Sequence, residues 1–323
     1  MFGANKDFFH TGLRVGRSDL HAMMDGMGPG DHYFVDYRNG NDANDGKTWA
    51  KAFRTYSKAV DAVVSNHNDV IHINGDSEVL EASMVTISKN RVHTIGHNGA
   101  LGLFGQGARI ACNATSGATN IASVQNTGVR NTFVGLKISS AMVITESLYA
   151  FVEAGEFTRF FNCSFYKSSD LDNAGASEMA LNGESTMFYD CTFGSSVNIT
   201  GNIRANVLLT GGIVSGKKCK GAYFEDCLFL STADDTDKVM VYGANATDVE
   251  RMLLMKNCVF MNNLLSAGTP AHAVGFGAAQ TQGTVLLVNC VSVDCTVMAE
   301  AGVGIYVSGS VPTFATTGVA LTA

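Results

Sequence analysis

The stretch Phe161-Asn162-Cys163-Ser164-Phe165 decides the fold, because its pattern returns as Tyr189-Asp190-Cys191-Thr192-Phe193, Glu225-Asp226-Cys227-Leu228-Phe229 and Lys256-Asn257-Cys258-Val259-Phe260. A fifth copy, Val288-Asn289-Cys290-Val291-Ser292, keeps the Asx-Cys pair and loses the final ring. The cysteines are separated by 28, 36, 31 and 32 residues, and three positions before each stands a bulky apolar residue: Phe160, Phe188, Phe224, Met255 and Leu287. Upstream, Phe133-Val134-Gly135-Leu136-Lys137-Ile138 fits the same frame, with Gly135 in the Asx slot and Leu136 in the Cys slot. The slot therefore asks for a small or apolar residue rather than for a thiol.

A second series of short segments ends on Gly155, Gly183, Gly211, Gly243, Gly277 and Gly309, in step with the first. A period near 30 residues, carried by β-branched and aromatic segments, predicts a solenoid whose coils each hold several short strands. Gly135, Asn162, Asp190, Asp226, Asn257 and Asn289 are then corner residues, since Gly, Asn and Asp best tolerate positive φ at a tight turn. Stacking like on like predicts an inward ladder of Leu136, Cys163, Cys191, Cys227, Cys258 and Cys290 at roughly 4.8 Å spacing.

The chain has 323 residues, 16% charged, with 35 Gly and 3 Pro, a composition suited to uncharged strands joined by many tight turns. A single solenoid domain can reach this length because each coil needs only its neighbours. The formal charge is −7, and no basic cluster exceeds Gly216 to Lys220, so nucleic acid is not an expected partner. No run of about 18 apolar residues suggests a membrane span, and the first 30 residues lack the apolar core of a secretory signal. Folding in a cytosol, with all eight cysteines as free thiols, is the expectation.

Three regions follow from these readings. Residues 1–30 form an N-terminal docking arm with Leu20, Met23, Met24 and Met27 as one apolar helical face; residues 31–310 form the solenoid; residues 311–323 form an apolar tail, either a cap or a strand given to another chain. From Asp31 a strand, an Asx-Gly loop and a helix over about 54–65 are expected, with Phe53, Tyr56, Val60, Val63 and Val64 on its buried side.

This last stretch resembles the entry module of pectate-lyase-like right-handed parallel β-helix proteins. The features that carry the likeness are Tyr33 to Asp36, Asn39 to Gly46, Trp49, Phe53 to Thr55 and Tyr56 to Val64. The resemblance implies an all-β, right-handed parallel β-helix of about eight to ten coils, with the helix capping its N-terminal end. It specifies fold and leaves activity open.

Candidate chemistry is sparse. Asp42 and Asp45 lie in an Asn-rich loop that offers oxygen ligands to calcium or, alternatively, simple turn chemistry. Asp234, Asp235 and Asp237 are similar to the paired carboxylates of polygalacturonase-like hydrolases, although the Gly-His-Gly of those enzymes is missing; a solvated acidic loop is the plainer reading. Lys217, Lys218, Lys220 and Arg251 are bases without a lyase signature, and His72 and His93 are candidates for stacking. No cofactor is expected.

A compact β-helix with apolar ends resembles the spike, fibre and decoration proteins of bacteriophage particles. That resemblance implies a structural virion protein, a homotrimer bound to other virion proteins, assembled in the host cytoplasm and touching surface glycans. The alternative is a polysaccharide lyase or glycoside hydrolase working in a groove of the β-helix.

Overall fold

The computed structural model describes residues 30–76, 78–97, 107–114, 121–140, 148–167, 175–194, 204–210, 213–214, 217–232, 236–263 and 269–308. The expected docking residues Leu20, Met23, Met24 and Met27, the acidic residues Asp234 and Asp235, and the tail 311–323 lie outside these.

Among the described residues there are three parallel sheets, of eleven, eight and eight strands. Each coil contributes one strand to each sheet in turn, as in Arg159–Phe161, Ser164–Lys167 and Ser177–Leu181, and every strand pairs with its counterparts one coil before and after. Eight complete coils result, preceded by the strand His32–Val35 and followed by Ile305–Ser308. The chain is a right-handed parallel β-helix. Among the described residues no helix is long and apolar enough to cross a membrane.

The corner between the first and second sheets is the most regular part. Gly135, Asn162, Asp190, Asp226, Asn257 and Asn289 have φ of 64°, 49°, 51°, 55°, 53° and 52°, so one left-handed residue turns the chain in each of these six coils. The next residue points inward. Leu136, Cys163, Cys191, Cys227 and Cys258 are buried, and Cys290 is partly buried against the core. Each thiol from Cys191 onward lies against a carbonyl of the preceding coil, as with Cys191 Sγ to Phe160 O at 3.7 Å and Cys290 Sγ to Met255 O at 3.4 Å. All eight cysteines are free.

Two ring columns fill the interior beside this row. Phe133, Phe160, Phe188 and Phe224 stack at centroid distances of 4.9, 4.9 and 4.5 Å, and Phe165, Phe193, Phe229 and Phe260 at 5.3, 5.0 and 4.8 Å. Rings of the two columns meet edge to face, as in Phe160 and Phe165 at 79°. The column ends at Ser292, whose buried hydroxyl has no partner.

The glycine series is less regular than its spacing suggests. The register sets Leu209 opposite Gly243 and Gly243 opposite Phe276, so Gly243 does not occupy the slot of Gly155 and Gly183.

The N-terminal end is closed by helix α1, Tyr56–Ala62, shorter than the expected 54–65. The Asp42 carboxylate takes the backbone N–H groups of Arg54 and Thr55, and Thr55 caps the helix by accepting from Lys58 N. Val63 is already extended and Val64 is exposed, because the buried Asp69 carboxylate draws the Val64 N–H to itself at 2.7 Å. Tyr56, Ala59 and Val60 are buried, and the Tyr56 hydroxyl reaches Thr94 Oγ1 at 2.8 Å. Glu81 supports the first turn, accepting from Tyr56 N at 2.6 Å and Ser57 Oγ at 2.7 Å.

Candidate functional site

The acidic loop proposed from sequence is described only at Asp237, which is exposed. Its neighbour Lys238 is the more unusual residue: fully buried, with its ammonium donating to Arg204 O and its pKa pulled down to about 8 by burial. Arg204, also buried, holds Glu178 Oε1 through Nε at 3.2 Å and Nη2 at 2.9 Å, and donates to Lys167 O. Glu178 Oε2 is buried without a partner. Glu178 and Asn206 share an outward register position on the third sheet, so the cluster sits on that sheet's outer face, at the corner reached from the second. No sequence motif announces it: Lys167, Glu178 and Arg204 are isolated charges, and Lys238 closes the acidic run that ends at Asp237.

The bases named from sequence gather at another corner, between the third and first sheets. There Glu156 and Glu184 stand side by side in a parallel bridge, Lys217 meets Glu156 at 2.6 Å, Arg251 meets Glu184 at 2.8 Å, and Lys220 meets Glu250 at 3.4 Å. Lys218 reaches Gln282 Oε1 at 2.9 Å. These are partly exposed ion pairs laced from coil to coil.

Just inside that corner, Glu153 is fully buried. It accepts from Asn126 Nδ2, Thr158 Oγ1 and Gly155 N, yet burial outweighs these bonds and pushes its pKa up to about 7.

The Asx-rich loop is built by carboxylates capping backbone. Asp42 ties Arg54 and Thr55, Asp45 accepts from Lys47 N at 3.0 Å, and Asp36 accepts from Arg38 N and Asn39 N at 3.0 Å each. The loop and the second sheet bound an open cleft of about 440 Å³ lined by Tyr37, Arg38, Arg54, Glu78 and Leu80.

Histidines do stack, but not the expected pair. His72 lies opposite Ile95 while His93 lies opposite Val70, two residues out of step. His72 instead links His32 and His97, nitrogen to nitrogen, at 2.8 Å each, with Phe34 and Trp49 rings alongside. Burial, then the neighbouring imidazoles, pull the His72 pKa down to about 3, so His72 is neutral, and burial lowers those of His32 and His97 as well. Farther along the same outer face Phe161, Tyr189 and Tyr223 form a partly exposed ring row, with Glu225 bridging Tyr223 and Lys256 at 2.8 and 2.7 Å.

Asp31, His67 and Asp69 bring three potential ligand atoms within 4.8 Å of one another. The Asp69 carboxylate is already spent on Asp31 N, Val64 N and His67 Nδ1, and Asp31 pairs with Lys47 at 2.9 Å, which makes this the clamp where the chain enters the solenoid.

Neither a protein-family model nor a curated protein matches the chain. Solved structures do. Pectate lyase Pel9A aligns over 87% of this chain and 75% of its own at TM-score 0.56 and 13% identity. A pectin methylesterase variant in complex with a hexasaccharide aligns over 85% and 80% at TM-score 0.53 and 15% identity. A rhamnogalacturonan lyase aligns over 84% and 77% at TM-score 0.52 and 14% identity. At such identity the likeness is one of architecture: the chain has the pectate-lyase-like parallel β-helix fold.

Proposed function

We propose that the chain is a structural protein of a bacteriophage particle, a β-helix decoration or spike on capsid or tail, assembled as a homotrimer and touching host glycans along its outer faces. The observation that carries this reading is the outer face of the second sheet over its last three coils. There Leu228, Val259 and Val291 form one outward column and Leu230, Met261 and Val293 the next, with Val291 and Val293 exposed by 53% and 42%. Exposure grows along these columns from the buried Leu230 to Val291 and Val293, and apolar side chains left exposed at one end of a solenoid flank are the kind of surface that becomes buried in an assembly. Eight free, mostly buried thiols suit a protein that folds where cysteines stay reduced.

Light scattering on the purified chain tests the assembly. A trimer is expected, and Val259→Lys with Val291→Glu is expected to give a monomer with an unchanged circular dichroism spectrum. A monomeric native chain overturns it.

A second reading, a polysaccharide lyase or hydrolase, is favoured by Lys238. A lysine titrating near 8 beside a carboxylate and a guanidinium has the character of a general base. Unsaturated or reducing ends released from an acidic polysaccharide, and lost in Lys238→Met, would establish that reading in place of the first.

A further inference from the structure

We infer that the cleft between the Asx-rich loop and the second sheet binds the oxyanion of an acidic saccharide. The inference does not depend on whether the chain decorates a particle.

Charge is the first ground. In a chain of net charge −7, Arg38 and Arg54 both line this cleft and both are exposed. Among the described residues neither guanidinium has a carboxylate within ion-pair distance. The cleft's one acid, Glu78, is taken by Arg109 at 3.0 Å. Lys137 follows Arg109 in the same column of the second sheet, and the loop's own carboxylates, Asp36 and Asp42, are turned to backbone N–H groups. Burial, then the neighbouring Arg109, lowers the Lys137 pKa.

Preorganisation is the second. The Asp36 carboxylate fixes the backbone of Arg38 and the Asp42 carboxylate fixes that of Arg54, so the loop's turn chemistry holds both arginines at the cleft. The Arg54 guanidinium lies over the Tyr37 ring, 5.0 Å from its centroid, which holds the planar group while leaving its N–H edge available for a bidentate bond to an oxyanion. Arginine suits carboxylate, sulfate and phosphate groups for this reason.

Shape is the third. A cleft of about 440 Å³ is within the size range of small-molecule sites and exceeds what a bare anion needs. Tyr37 and Leu80 supply an apolar floor for the C–H face of a pyranose ring, and Lys137 over Tyr166, at 5.9 Å, continues the basic and aromatic surface along the second sheet.

The test is saturation-transfer NMR on the full chain with glucuronate, glucose 6-phosphate, glucose and inorganic phosphate as probes. Contact is expected with both anionic sugars and not with glucose. Affinity should fall at least tenfold in the Arg38→Gln, Arg54→Gln double variant and also on raising salt. Both side chains are exposed, so the variant keeps its fold, and an unchanged circular dichroism spectrum checks this. Binding unaltered in the double variant, or no binding of either anionic sugar, overturns the site. Inorganic phosphate competing as well as glucose 6-phosphate overturns the saccharide and leaves an anion site alone.

Discussion

At an Asx corner one peptide decides whether a coil can close. Asn257 holds φ at 53°, a region that costs an ordinary L-residue on the order of 1–2 kcal/mol. Asn257→Gly is therefore expected to be close to neutral, and Asn257→Val to lower stability by about 1–2 kcal/mol or more, both read from denaturant midpoints. Glu153 gives a prediction of different kind. Its pKa rises on folding to about 7, so the protonated form is favoured in the folded chain; the stability it contributes is full below about pH 4.5 and is lost as pH rises through 7. The loss amounts to about 3 kcal/mol. Glu153→Gln removes this titration, so the stability of the variant relative to the native chain should climb between about pH 4.5 and 7 and level off above. A flat difference across that window would show that Glu153 stays ionised. The corners were legible in the sequence because Gly, Asn and Asp recur where sterics demand them. The buried charges were not: with the glycines aligned, Arg204 and Lys238 fall two positions out of step, whereas the true register, Leu209 opposite Gly243, sets them opposite each other.

Among the elements, the phenylalanine columns hold most of the order. Phe188 lies between Phe160 and Phe224 and touches Phe193 edge on, at 5.4 Å, so Phe188→Ala opens a cavity bounded by rings that cannot collapse into it. A loss of roughly 3–5 kcal/mol is expected, against about 1–2 for Cys191→Ala, where only a sulfur is removed. Calorimetric or denaturant unfolding of the two variants ranks them, and equal losses would contradict the column as the dominant packing unit. Helix α1 shows where element reading from sequence stops. Its apolar face, Tyr56 and Val60, was visible as helical spacing, but its ends are set by carboxylates outside the helix, Asp42 before it and Asp69 after it, and apolar spacing does not register them. The histidine row is a similar case, since a one-coil pairing between His72 and His93 needed a register that the strands do not adopt.

The whole molecule is close to one-dimensional: each coil touches its neighbours and little else. Stability should accordingly vary along the axis, greatest where rings stack on both sides and least where the column runs out at Ser292 and Val291, Val293 and Tyr306 stand exposed. Hydrogen exchange of the monomeric Val259→Lys, Val291→Glu variant, followed by mass spectrometry, should find the amides of Phe188 to Phe229 slowest and those of Val291 to Ser308 fastest, and uniform protection would mean that the rod unfolds as one unit. The corners carry one more consequence. Between Phe161 and Ser164, Tyr189 and Thr192, Glu225 and Leu228, Lys256 and Val259, and Val288 and Val291, two residues always intervene, whereas the second-to-third-sheet links differ in length: nine residues between Lys167 and Ser177, seven between Ser231 and Val239, three between Val293 and Val297. Over its last five coils the protein thus has a fixed hinge line on one edge and an adjustable seam on another, so foreign peptides grafted into the seam should be carried in register, and even a single extra residue on that stretch of the hinge line should derail the coils that follow.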